Sequence, residues 1–180
     1  MNSKFPDIEF RTIVADPPWT PTMSITNGMA PKASPQKHYV TMSVDEICAL
    51  KPPIAKQAHL YIWCVAQHVD WAYQVATAWG GKPVILWTWK KKGLGVGRFR
   101  CNTEHILVAR VGSRHGNPFG DGGRHSQATN GTCFGWARGK HSEKPDGLYH
   151  LVEQLSPSPR LEMYARSSRT NWYVWGDEIK

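Results

Sequence analysis

The chain of 180 residues has few cysteines, few acids in its middle third and no long apolar run. Each shortage excludes a class of protein. Four cysteines, Cys48, Cys64, Cys101 and Cys133, stand far apart with no C-x-x-C pair and no histidine at zinc-finger distance. A disulfide scaffold and a structural zinc site are therefore set aside, and buried thiols are expected instead. No apolar stretch approaches the roughly 18 residues of a membrane span, and the start, MNSKFPDIEF, lacks the apolar core of a signal peptide. The expectation is a soluble intracellular protein, cytoplasmic in a bacterium or a phage-infected host. No repeat and no linker divides the chain, so one domain over residues 1–180 is expected.

What is present is unevenly placed. The formal charge of +8 is concentrated in residues 80–141, which hold eleven Lys or Arg against only Glu104 and Asp121. Surfaces selected for solubility usually intersperse both signs. A one-signed stretch points to a polyanion, and the nine tryptophans, most of them expected in the core, include candidates for base stacking beside arginines.

The chain alternates strand and helix. FRTIVA (10–15) reads as a buried strand that Pro17 closes, because proline cannot continue a central ladder. Residues 20–37 form a Pro/Ser/Thr/Gly-rich loop, and Ser43 with Glu46 has the spacing of a capping box ahead of a short helix. A continuous apolar strand follows at 58–65, then a helix that Gly80 and Gly81 stop, a strand in KPVILWTW, a basic loop and a strand in EHILVARV. Residues 112–135 carry seven glycines without apolar periodicity and predict no element. A helix in PDGLYHLVEQLS, a strand in RLEMYA and a last strand in NWYVWGDE complete the chain. This order predicts an α/β fold with a mostly parallel sheet and helices on both faces, with room for an antiparallel pairing between KPVILWTW and EHILVARV.

In such sheets ligands bind beyond the carboxyl ends of the strands, which is where VADPPWT (14–20) lies. Taken alone, D-P-P-x is an acid capping a stiff turn. With Trp19 it becomes a complementary set for an amino group on a flat heterocycle. Asp16 and the Pro17 carbonyl would accept its hydrogens, Pro17 and Pro18 would bring no competing N–H, and Trp19 would stack on the ring.

DPPW resembles the signature of the adenine-N6 methyltransferases related to the catalytic subunit of the eukaryotic messenger RNA adenosine methyltransferase. Further segments match in family order: HYVTMSVDEICAL, AHLYIWCV, WAYQVATAWGGKPVILWTWKK, NTEHILVARVG, HSEKPDGLYHLVEQLSPSPRLEMYAR and NWYVWGDE. The resemblance implies a Rossmann-like class I methyltransferase with S-adenosylmethionine as donor, no metal, and a DPPW strand preceding the donor-binding strand. It implies Asp16, Pro17, Pro18 and Trp19 as the catalytic tetrad, and Tyr39, Glu104 and Lys144 as residues around the substrate base. It implies donor contacts from Asp16, Lys144, Arg166, Ser168, Arg169, Asp177 and Glu178. One departure is visible: EMYARSS carries no glycine where related methyltransferases often show F-x-G-x-G.

The charge pattern adds Lys90, Lys91, Lys92, Arg98 and Arg100 around GLGVG, with Arg114 and Arg124 beyond, as contacts to a nucleic-acid backbone. DNA is the expected partner, RNA the alternative, and a non-catalytic nucleic-acid-binding partner of a heterodimeric methyltransferase the rival from another class. The compact size suggests a phage or prophage origin, and the chain is expected as a monomer or homodimer.

Overall fold

The computed structural model describes residues 4–21, 40–93, 100–113, 131–137 and 143–176. Among them are seven strands: β1 (Phe10–Ala15), β2 (Ile54–Cys64), β3 (Lys82–Lys90), β4 (Thr103–Val111), β5 (Cys133–Phe134), β6 (Arg160–Met163) and β7 (Tyr173–Trp175). The helices are α1 (Val44–Ala49), α2 (Val69–Ala78) and α3 (Asp146–Leu155), with a 3-10 turn at Ala66–His68. The strands form one sheet in the order β5-β3-β4-β2-β1-β6-β7. β1 pairs in parallel with β2 and β6, β6 with β7, and β3 with β5. β4 alone runs the other way, antiparallel to β2 and to β3. The anticipated reversal thus extends to both sides of β4.

Alternation along the strands sorts the core into two layers. Ile13 and Ala15, Leu60, Ile62 and Cys64, and Leu107 and Ala109 pack with Ile47 of α1 and Ala72, Val75 and Ala76 of α2. Their neighbours Val14, Tyr61, Trp63, Ile106 and Val108 face the other way, against Leu148, Tyr149, Leu151 and Val152 of α3. Period-two side chains on strands packed from both sides produce this separation. Six of the nine tryptophans are buried, as expected of a core built from them.

Local signals account for the ends of the elements. Ser43 caps α1 by accepting from the Glu46 N–H, while the Glu46 carboxylate accepts from the Ser43 N–H at 2.7 Å. After α2, Gly80 takes φ +80, and a Cβ on Gly81 would lie 2.8 Å from Leu60 Cδ1 and 2.9 Å from the Ala76 carbonyl. That pair of glycines lets the chain turn tightly under α2 and enter β3.

Two expectations are corrected. The glycine-rich stretch is not wholly without an element, because Cys133 and Phe134 pair with Thr88 and Trp89 as β5. Two residues are too few to show periodicity; Trp87 and Trp136, which pack around Phe134, supply the reason for the strand. All four cysteines are free, but only Cys64 is buried; Cys101 and Cys133 are exposed because they stand at a strand approach and on an edge strand. No helix among the described residues is long and apolar enough to cross a membrane.

Candidate active site

The carboxyl ends of β1, β2, β3, β5, β6 and β7 share one edge of the sheet, and so does the beginning of the reversed β4. This is why Glu104, second residue of its strand, reaches the same edge as Asp16, which follows the last residue of β1. Asp16 stands two positions beyond Val14 and Glu104 two before Ile106, both in the layer beneath α3. Lys144 lies just ahead of α3 on that side.

Lys144 joins the two acids. Its Nζ lies 3.0 Å from Asp16 Oδ1 and 3.1 Å from Glu104 Oε2, and 4.8 Å from the centre of the Trp63 ring. The Lys144 side chain is 15% exposed, and burial alone would depress its ammonium, but Asp16 and then Glu104 raise it above its ordinary value. For Glu104 burial acts to raise the carboxyl, and Lys144 followed by Lys91 brings it below the ordinary carboxylate value. Lys91 holds the other Glu104 oxygen, Oε1. The result is an alternating row of Asp16, Lys144, Glu104 and Lys91.

The DPPW turn is fixed by its own backbone. Pro18 accepts from the Met42 N–H at 2.8 Å and Met42 accepts from the Thr20 N–H at 3.1 Å, tying the turn to the segment before α1. Trp19 Nε1 donates to the Trp63 carbonyl at 3.0 Å. The sequence reading needs one correction: the Pro17 carbonyl already accepts from the Trp19 N–H at 2.8 Å, so the turn does contain a competing donor. A carbonyl has two lone pairs, and one remains for a ligand.

These residues line a cavity of about 280 Å³ whose walls include Asp16, Pro17, Trp19, Trp63, Glu104, Lys144 and Arg166. Val65, Gln67 and His68 complete the rim after β2, a contribution the sequence reading missed. The only available signal was their position immediately beyond a buried strand. His68 stacks on Trp71 with ring centres 4.2 Å apart, and burial lowers its imidazole from the ordinary value. Cys64 also lines the cavity, but burial, with Glu104 and Asp70 adding to it, pushes its thiol up to about 12, so it is inert as a nucleophile.

The remaining expected residues divide. Arg166 is exposed and lines the cavity. Ser168 is exposed and outside its walls, and Arg169 turns away: its guanidinium bonds Asp146 at 3.0 Å and lies 3.7 Å from the Tyr149 ring centre. Asp146 and Tyr149 both belong to α3, so Arg169 is anchored on that helix. Lys90, Lys92 and Arg100 are exposed, whereas Lys91 is engaged with Glu104. Tyr39, Arg98, Arg114, Arg124, Asp177 and Glu178 lie outside the described residues.

The turn without glycine after β6 finds another solution. Tyr164 adopts φ 62, a left-handed conformation that costs a non-glycine residue of order 1 kcal/mol. A glycine is instead required across from it: a Cβ on Gly176 would lie 2.8 Å from the Ala165 carbonyl oxygen and 2.9 Å from its nitrogen. Backbone therefore passes closely over backbone at this side of the site.

A model of the MT-A70 family matches residues 10–178. The chain belongs to the MT-A70 family. Among similar proteins, an MT-A70-like protein of Medicago truncatula is 29% identical over 95% of this chain and 26% of its own length. The METTL3 catalytic subunit of the human N(6)-adenosine-methyltransferase is 25% identical over 95% of this chain and 28% of its own length. The type II methyltransferase M.MunI of Mycoplasma is 25% identical over 98% of this chain and 80% of its own length. The chain thus spans about a quarter of the first two relatives and most of the third.

MT-A70 methyltransferases use S-adenosylmethionine. The cavity's donor set fits such a molecule. It offers a cation, Arg166, suited to a carboxylate, an acid, Asp16, suited to an ammonium or amine, and aromatic walls in Trp19 and Trp63. The buried Trp63 indole N–H, in the same wall, has no acceptor among the described residues.

Proposed function

We propose that this chain transfers a methyl group from S-adenosylmethionine to the N6 amino group of adenine in DNA. The observation that carries the reading is the Asp16–Lys144–Glu104 arrangement around a cavity at the end of the DPPW strand. The preference for DNA draws on the similarity to M.MunI, a type II methyltransferase of whose length the chain covers 80%. The exposed Lys90, Lys92 and Arg100 beside the site supply charge for a phosphate backbone. The similarity to METTL3 supports RNA as the second reading.

S-adenosylmethionine, when bound, supplies a methyl carbon already activated by the adjoining sulfonium. The chain's own task is to position the amine. The N6 nitrogen is a poor nucleophile because its lone pair is delocalised into the ring. In this reading Asp16 and the free lone pair of the Pro17 carbonyl accept its two hydrogens, favouring a pyramidal nitrogen aligned for in-line displacement. Trp19 provides a face for the base. The amine becomes acidic once methylated and can lose its proton after transfer, so Asp16 has only to orient it. A duplex adenine cannot enter such a cavity while stacked and would be flipped out at a cost of a few kcal/mol.

Labelled-methyl transfer to matched DNA and RNA oligonucleotides tests the proposal. DNA should be labelled at adenine N6, and Asp16→Ala should abolish labelling while leaving DNA affinity within about twofold. Labelling of RNA alone would replace the substrate assignment. Absence of transfer, together with no calorimetric binding of S-adenosylmethionine with or without DNA, would favour the non-catalytic partner.

A further inference from the structure

We infer that Lys91 is a positioning residue of this site, holding Glu104 so that Glu104 shares Lys144 with Asp16, and is not one of the phosphate contacts around it. The inference rests on the functional reading above, but its basis is geometric. The Lys91 N–H donates to the Asn102 carbonyl at 2.8 Å, which carries the β3–β4 ladder one residue past the end of β3. Strand alternation therefore persists through residue 91. Trp87, Trp89 and Lys91 fall on the α3 face, while Lys90 and Lys92 are exposed. Three consecutive lysines that look equivalent in sequence thus separate into one that faces the site and two that do not.

The two site lysines stand on adjoining indoles. Lys91 Nζ is 5.1 Å from the Trp89 ring centre and Lys144 Nζ 4.8 Å from that of Trp63, and the two tryptophans meet edge to face at 5.9 Å. Each oxygen of Glu104 has its own ammonium, Oε1 that of Lys91 and Oε2 that of Lys144. This division of the carboxylate leaves Lys144 free to reach Asp16 at 3.0 Å. Without Lys91, both Glu104 oxygens are available to Lys144, and the ammonium is drawn off Asp16. The charged groups facing Glu104 are Lys91 from β3 and Lys144 ahead of α3, with Asp16 beyond Lys144; Cys64 of β2 and the adjacent His105 interact with it electrostatically from the other face of the sheet.

The experiment compares Lys91→Met, Lys91→Gln and Lys91→Arg with Lys90→Met and Lys92→Met in the full chain. Carboxyl-labelled NMR of the protein alone should show the Glu104 titration moved upward in Lys91→Met and Lys91→Gln, but unchanged in the other two methionine variants. Single-turnover methyl transfer at saturating donor and oligonucleotide should fall about 10- to 100-fold in Lys91→Met, with substrate affinity within twofold. Lys91→Arg should restore most of the rate. The slope of log affinity against log salt should fall by about one in Lys90→Met and in Lys92→Met and stay constant in Lys91→Met. An unmoved Glu104 titration would overturn the inference, as would a Lys91→Met protein that loses affinity and salt slope while keeping its rate. If the wild-type chain transfers no methyl group to DNA or RNA, the functional reading fails, and the Glu104 titration still decides the placement of Lys91.

Discussion

Replacing Lys144 with methionine removes one positive charge and leaves the stem length nearly unchanged. Asp16 Oδ1 and Glu104 Oε2 each lie close to 3 Å from Lys144 Nζ, so the two oxygens are at most about 6 Å apart. At an effective dielectric constant of about 20, two carboxylates at that separation repel by roughly 3 kcal/mol. Asp16 is 31% exposed and partly screened by water, which brings the expected loss of stability at pH 7 to about 2 kcal/mol. Urea unfolding of wild type and Lys144→Met, at pH 7 and again at pH 4, measures it. In the variant Glu104 keeps only Lys91, so its carboxyl moves up toward the ordinary value of 4.5, and acid removes its charge and with it the repulsion. The difference between the two proteins should therefore shrink sharply in acid. Adding Glu104→Gln to Lys144→Met should recover more than half of the lost stability, because only one carboxylate remains. An equal loss at both pH values, or no loss at pH 7, would refute the account of Lys144 as the cation that makes this pair of acids tolerable.

Two further outcomes follow from the packing. Gly147→Ala places a Cβ 2.2 Å from Trp136 Cδ1, so the indole must shift; we expect about 1–3 kcal/mol of destabilisation in urea unfolding, with a change in the Trp fluorescence of the folded protein. His59 is buried, its Nδ1 2.7 Å from Ser156 Oγ, and burial followed by Arg110 and Arg11 lowers its imidazole from 6.5 to about 4. The unfolded chain binds a proton that the folded one refuses, so this contribution to stability is complete above pH 6.5 and is lost as pH falls toward 4. His59→Asn should flatten the decline in stability between pH 6.5 and 4.5; an unchanged slope would assign the acid sensitivity to His68 and His105, which are lowered in the same direction.

The sequence by itself determined the alternation of elements, the α1 cap and the place of DPPW at a strand end. Those features depend on neighbours a few residues apart: a period of two, the Ser43–Glu46 spacing, a proline that stops a ladder. The ordered motifs likewise made Asp16, Glu104 and Lys144 legible as one site before any distance was known. Tertiary structure decided what depends on residues far apart in the chain. β5 exists because an aromatic layer and the edge of β3 receive it, not because Cys133 and Phe134 carry a strand signal. Asp146 and Tyr149 hold the Arg169 guanidinium against α3, and a close backbone crossing requires Gly176 opposite a left-handed Tyr164. Among Lys90, Lys91 and Lys92, composition gave three equal charges. Only the pairing of β3 with a reversed β4 turned the middle one toward Glu104, because side-chain direction on a strand is fixed by its register with its neighbours.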